Sequence, residues 1–249
     1  MIESRVEDGQ LQITINQPKK HNAINRAMWR QLAKAFEEVR DRPDIKVVVL
    51  RGAGNTAFCS GGDISEYEDF YQHVQEADEA YVGIRDVSAL LRDLPIPTIA
   101  AISGHCVGAG VVIAAACDFR LCTKSSRFAV TAVKRGLVYP APASGELLAL
   151  VGVSVTRAIL LRGRPLYAED AFKAGLVDIL VEDIEFETGL AAFAKEMIDQ
   201  SSSAYTFVKK SISYALQLVE ENEAMLQMNM DALGSEEFKS STRKFMGKN

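Results

Sequence analysis

Residues 100–123 read AAISGHCVGAGVVIAAACDFRLCT, and the elements they form set the fold class. Thr98 to Ile102 is an almost continuous apolar run after Pro95 and Pro97, which predicts a strand buried on both faces and ending at Ser103-Gly104. From Val107 to Cys117 small and branched apolar residues leave no polar face, so a helix here lies inside the protein. Between them stands the turn Gly104-His105-Cys106-Val107-Gly108-Ala109-Gly110. A second glycine turn, Phe58-Cys59-Ser60-Gly61-Gly62-Asp63-Ile64, follows another buried run. Helix starts leave N–H groups unpartnered, and glycine lets a ligand touch the backbone. Taken singly, either turn is explained by tight packing. Two that converge can clamp one carbonyl oxygen as negative charge develops on it. A dinucleotide fingerprint fails, because Val111-Val112-Ile113 follows Gly108-Ala109-Gly110 and supplies no third glycine.

Working outward, Leu11 to Asn16 alternates like a half-buried strand that stops at Gln17-Pro18. Asn25 is an N-cap for a helix with Met28, Trp29, Leu32, Phe36 and Val39 at helical spacing, stopped by Arg42-Pro43. Lys46 to Arg51 is a buried strand between charges, and Asn55 to Gly62 reads as a loop. An acidic amphipathic helical region runs from Ile64 to about Asp93; short strands follow at Phe119 to Cys122 and Val177 to Val181, and helices from Glu185 onward. Strand, helix and buried strand in this order argue for α/β layering.

The chain has 249 residues and a net charge of −5, which gives no basic field for nucleic acid or an anionic membrane surface. The acidic N-terminus is unlike a signal peptide, and the Val107–Cys117 run is shorter than the roughly 20 residues that span a bilayer. A soluble cytoplasmic protein is expected. Cys59, Cys106, Cys117 and Cys122 lack zinc spacing and read as buried reduced thiols, and His21, His73 and His105 are scattered, so no metal site is expected.

Five stretches together resemble the enoyl-CoA hydratase/isomerase, or crotonase, family: NQPKKHNAIN (16–25), VVVLRGAGNTAFCSGGDI (47–64), the 100–123 segment, RFAVTAVKRGLVYP (127–140) and LRGRPLYAEDAFKAGLVDILVED (161–183). The resemblance implies an α/β spiral of β-β-α repeats over residues 1–190 and a helical oligomerisation region over 191–249, forming a homotrimer or a dimer of trimers. It implies an acyl-CoA substrate, with coenzyme A carried on the substrate and no separate cofactor. The amides of Gly62 and Ala109 would hold the thioester oxygen. Ser60, Gly61, Asp63, Ile64, Gly108 and Thr131 would lie beside the substrate, His21, Asn22 and Ala23 along the pantetheine and adenine path. Lys244, in a basic tail with Lys239 and Arg243, would reach coenzyme A, as would Lys19, Lys20 and Arg26 near the first turn.

Hydratases of the family place one glutamate about a helical turn after the second donor and another before the next turn; these positions are Val112 and Ala132 here. Neither side chain transfers a proton. The stretch Thr131 to Pro140 looks like the malonyl-type decarboxylase branch, where a tyrosine stands near the carboxylate that leaves, which makes Tyr139 a candidate. The other reading of Tyr139 is a partly buried aromatic whose hydroxyl finds a backbone partner. Unlike that branch, this chain has no side chain at Gly62. Glu66, Glu68, Asp69 and Glu146 read as solvated helix faces, Asp63 as a helix cap, and His105 as a structural histidine within reach of the site. Ser60 and Ser144 lack a nucleophile elbow.

Overall fold

The computed structural model describes residues 1–66, 74–135, 139 and 141–216. Two compact units divide the chain, Met1–Ile198 and Asp199–Asn249.

The first unit opens with β1 (Ile2–Glu7) and β2 (Gln10–Ile15), an antiparallel pair. In β2 Leu11, Ile13 and Ile15 are buried in alternation, whereas β1 is charged and exposed on the sheet edge, so its composition carries no strand signal. Helix α1 (Arg26–Val39) follows, with Asn25 Oδ1 accepting from the Met28 amide at 2.9 Å and Met28, Trp29, Leu32, Phe36 and Val39 all buried.

Three β-β-α repeats come next. They are β3 (Val47–Gly52), β4 (Ala57–Cys59) and α2 (Val74–Arg92); then β5 (Thr98–Ile102), β6 (His105–Val107) and α3 (Ala109–Ala116). The last is β7 (Phe119–Thr123), β8 (Arg127–Ala129) and α4 (Ala141–Arg162). First strands lie parallel in a six-stranded sheet ordered β1-β2-β3-β5-β7-β10, with β10 at Ile179–Val181; second strands lie parallel in a four-stranded sheet ordered β4-β6-β8-β9, with β9 (Leu166–Tyr167) antiparallel to β8. This is the expected spiral: each repeat adds one strand to each sheet and one covering helix. The added strands are β9 (Leu166–Tyr167) and β10 (Ile179–Val181), and α5 (Ala168–Lys173) and α6 (Phe186–Ile198) complete the unit.

β3 and β5 are buried almost throughout, as unbroken apolar runs between parallel neighbours require. Two expectations need correction. β4 lies inside the stretch expected to be a loop, and His105 to Val107 is a strand, so the apolar helix begins only at Ala109, after Gly108 turns the chain at φ 56°. All eight residues of α3 are buried.

Helix α4 is long and apolar enough by length and composition to cross a membrane. It is kinked at Gly152 (φ 69°), however, and its inner face of Ala143, Glu146, Leu147, Val151, Thr156 and Ile159 packs into the protein. In the second unit α7 (Ser202–Ala215) is capped by Ser201, whose hydroxyl accepts from the Ala204 amide at 3.2 Å.

Candidate active site

The two glycine turns meet because parallel β4 and β6 end side by side, with Cys59 registered against Cys106. A Cβ placed on Gly61 would lie 3.6 Å from the Ala109 nitrogen and 3.3 Å from the Val107 carbonyl oxygen, and one on Gly108 would lie 3.7 Å from the Gly61 Cα. The gap between the two backbones is therefore one that a single methyl group would fill. Gly61 and Gly108 both have positive φ, 105° and 56°.

Around the first turn the neighbouring amides are occupied. The Ser60 amide donates to the His21 carbonyl at 3.0 Å, Gly61 N–H to the Cys59 thiol sulfur at 3.4 Å, and Asp63 N–H to the Ile24 carbonyl at 2.9 Å. The Ile24 amide in turn donates to the Gly61 carbonyl at 2.8 Å. At the second turn Gly108 N–H donates to the Ala129 carbonyl at 2.8 Å. The amides of Gly62 and of Ala109, the first residue of α3, make no such bond among the described residues.

Asp63 is the cap expected of it. Its Oδ1 accepts from the Ser65 amide at 3.1 Å, and its Oδ2 from Lys20 Nζ at 2.7 Å and Gln17 Nε2 at 3.2 Å. Burial works against the charge, but the bonds from Lys20 and Ser65 outweigh it and hold the carboxyl below its ordinary range. Lys20 thus serves Asp63 and the Ser65 hydroxyl (2.9 Å). The Ser60 hydroxyl donates to the Lys20 carbonyl at 3.0 Å. His21 and Asn22 adopt left-handed conformations with φ 51° and 56°, and the buried Asn22 amide donates to the carbonyls of Ala53 (3.0 Å) and Ala57 (2.6 Å). Ala23 is buried beside them.

His105 is the structural histidine expected. Arg127 Nε donates to its Nδ1 at 2.8 Å, and burial, Arg127 and His21 lower its pKa, so the ring is neutral at neutral pH. Val112 is buried, Thr131 is half-buried, and Ala132 packs half-buried against the core. The four cysteines form no disulfide and are buried; burial pushes the Cys59 and Cys122 thiols up to about 12, which keeps them protonated.

Two carboxylates are not on solvated faces. Glu66 Oε2 accepts the Arg26 amide at 2.9 Å and so closes the N-terminus of α1. Glu146 is 6% exposed and ion-paired through Oε1 to Arg92 at the end of α2, while its Oε2 has no hydrogen-bond partner among the described residues. Burial pushes the Glu146 carboxyl above its ordinary range, against the pull of Arg92. The Tyr139 hydroxyl is likewise buried with no hydrogen-bond partner among the described residues. Burial raises its pKa, with Cys106 and Glu146 adding to the effect. Sequence reasoning missed Arg92, because its partner lies 54 residues away and no local pattern joins them. Ile64 is placed by its backbone alone, in a 3₁₀ turn; Glu68, Asp69, His73 and Lys244 with its basic tail lie outside the described residues.

A sequence model of the enoyl-CoA hydratase/isomerase family matches residues 5–249. An Arabidopsis thaliana protein named probable enoyl-CoA hydratase 2, mitochondrial, is 29% identical over 211 residues, which cover 85% of this chain and 69% of that one. Among solved structures, an enoyl-CoA hydratase/isomerase family protein from Hyphomonas neptunium superposes with a TM-score of 0.92 at 32% identity, covering 99% of this chain and 94% of that one. An enoyl-CoA hydratase/carnithine racemase from Magnetospirillum magneticum gives 0.92 at 33% identity, with 99% and 92% covered. The spiral, the two converging turns and these likenesses agree: the chain belongs to the enoyl-CoA hydratase/isomerase family, whose members generally act on acyl-CoA thioesters.

Proposed function

We propose that the Gly62 and Ala109 amides form an oxyanion hole for the thioester oxygen of an acyl-CoA, and that the reaction is decarboxylation of a malonyl-type thioester. The observation that carries this is the close approach of the two turns, whose strands pair side by side and leave between Gly61 and the Ala109 nitrogen only the room of one methyl group. In such a site the bond from the α-carbon to the carboxylate breaks, carbon dioxide leaves, and the electron pair passes into an enolate whose oxygen the two N–H groups hold. A proton then returns to the α-carbon. One such donor contributes about 3 kcal/mol to the transition state.

The side chains support this ranking. Hydration by the family's two-glutamate route needs groups that Val112 and Ala132 do not provide. Decarboxylation needs no base to begin. Tyr139, with its pKa raised, is a proton donor and not a base. Double-bond isomerisation shares the enolate but needs a base, which ranks it second.

The test is incubation of the pure protein with malonyl-, methylmalonyl- and enoyl-CoA under mass-spectrometric detection. Loss of carbon dioxide from the first two is expected. Efficient hydration of crotonyl-CoA overturns the reading, and thermal stabilisation by thioesters without turnover identifies a non-catalytic acyl-CoA binder. The assembly we propose is a homotrimer or a dimer of trimers, supported by apolar side chains exposed on α4 (Leu148, Val153, Leu161) and on α7 (Val208, Ile212). Light scattering tests it.

A further inference from the structure

Cys59 is fully buried at the end of β4, where the first glycine turn begins. Its thiol meets the turn twice. The Gly61 N–H donates to the sulfur at 3.4 Å, and the S–H donates to the Gly61 carbonyl oxygen at 3.8 Å. A thiol is a weak donor and a weak acceptor, so each bond is soft, but both act on one residue. Burial pushes the Cys59 thiol up to about 12, so it keeps the proton that the second bond needs.

The second bond bears on the amide across the peptide. The Gly61–Gly62 peptide is planar and trans, so its C=O and N–H point in opposite directions. Whatever holds the Gly61 oxygen therefore aims the Gly62 N–H. Two groups hold it, the Ile24 amide at 2.8 Å and the Cys59 thiol. Ile24 lies in the segment whose carbonyls also take the Ser60 amide, at His21, and the Asp63 amide, at Ile24 itself, so that segment fixes one side of the turn. The thiol holds the same peptide from β4.

Cys59 also meets the second turn. A Cβ on Gly110 would stand 2.5 Å from the Cys59 carbonyl oxygen and 3.0 Å from the Cys59 Cβ, so the first turn of α3, the helix that Ala109 begins, lies directly on Cys59. One residue thus bonds the turn that carries Gly62 and backs the helix that carries Ala109.

We infer that Cys59 is a positioning residue for the oxyanion hole: its thiol holds the Gly61–Gly62 peptide so that the Gly62 N–H faces the thioester oxygen. The inference rests on the oxyanion-hole reading above and not on which reaction follows. Removing the thiol leaves the shorter Ile24 bond in place, so the donor is misdirected and not lost. The cost to catalysis is therefore smaller than the roughly 10²- to 10³-fold that follows deletion of a donor.

The experiment binds propionyl-CoA, isotopically labelled at the thioester carbon, at saturation to the wild type, Cys59→Ala and Cys59→Ser, and reads the carbonyl stretch by infrared difference spectroscopy. Thermal unfolding and kcat and KM for methylmalonyl-CoA are measured beside it. Binding to the wild type moves the band to lower frequency, because donated hydrogen bonds polarise the carbonyl. Cys59→Ala loses a large part of that shift and lowers kcat by about 10-fold with little change in KM. Cys59→Ser keeps a donor and an acceptor at the position and retains most of both. The thiol's own bond is read from the S–H band that vanishes in Cys59→Ser, which needs no alanine variant to fold; a frequency below that of an unbonded thiol is expected. Full carbonyl shift and kcat in Cys59→Ala, a serine variant that falls as far as the alanine one, or an S–H band at the unbonded frequency overturns the inference and leaves Cys59 as a core side chain. A wild type that leaves the carbonyl unshifted overturns the oxyanion-hole reading itself. One that shifts it without decarboxylating methylmalonyl-CoA overturns the decarboxylase reading alone, and the carbonyl band still decides the role of Cys59.

Discussion

At the first turn, Cys59 to Glu66, the backbone is held by side-chain polar groups: Asp63 gathers Lys20, Gln17 and Ser65, and Glu66 closes the start of α1. At the second turn, Val107 to Gly110, position is fixed by shape. Gly108 bends the chain, α3 is buried throughout, and a Cβ on Gly110 would stand 2.5 Å from the Cys59 carbonyl oxygen. Both arrangements present one amide at a glycine-rich turn. A polar latch loses strength gradually as its bonds are removed, whereas a close-packed turn has no slack.

The sharpest way to break the comparison is to remove the second amide. Ala109 is the first residue of α3, where proline is tolerated because no helical bond depends on the N–H. Ala109→Pro is expected to lower turnover of the preferred thioester by about 10²- to 10³-fold, a larger loss than thermal unfolding of the variant accounts for. Unchanged turnover would remove the Ala109 amide from the site.

Gly110→Ala tests the claim that the second turn has no slack. Its methyl group meets backbone and not a flexible side chain, so a loss of about 2–3 kcal/mol is expected in urea unfolding, with activity falling in parallel. A fully stable variant would mean that β4 and α3 can separate freely.

The contrast between the turns explains what the sequence disclosed. Glycine and apolar runs are local signals, so β3, β5, the cap at Asn25 and the positions of both turns could be read directly. The three-residue strands β4, β6 and β8 are too short to set up an alternation, and they exist only because the spiral stacks them in register. The place of Glu146 is hidden for the same reason: an acid in a helix resembles a solvated face, and only the fold brings Arg92 of another helix beside it. The approach of Gly61 to Ala109 is likewise a product of strand pairing and not of spacing.

The polar latch predicts a pH signature. Because the folded-state pKa of Asp63 lies below the ordinary value of about 3.9, its contribution is fully present above that pH and is lost as pH falls through the folded value. Asp63→Asn should therefore cost about 1–2 kcal/mol at pH 7, and the gap to wild type should narrow as pH falls below the ordinary carboxylate range. Chemical unfolding at several pH values checks this; a gap that does not depend on pH would mean that the side chain's shape, and not its charge, holds the turn.

Lys20→Ala is the mildest test, and the one that separates the latch's parts. Lys20 is 49% exposed, so water screens its bond to Asp63 and the entropy of ordering the long side chain offsets part of the attraction. Gln17 and Ser65 still satisfy the carboxylate after the substitution. A cost below about 1 kcal/mol is expected, shrinking further in 1 M salt, where charges are screened within about 3 Å. A larger cost that persists in salt would mean that Lys20 anchors the turn by packing its methylenes against it. The first turn would then depend on close packing as the second does, and the contrast between them would fail.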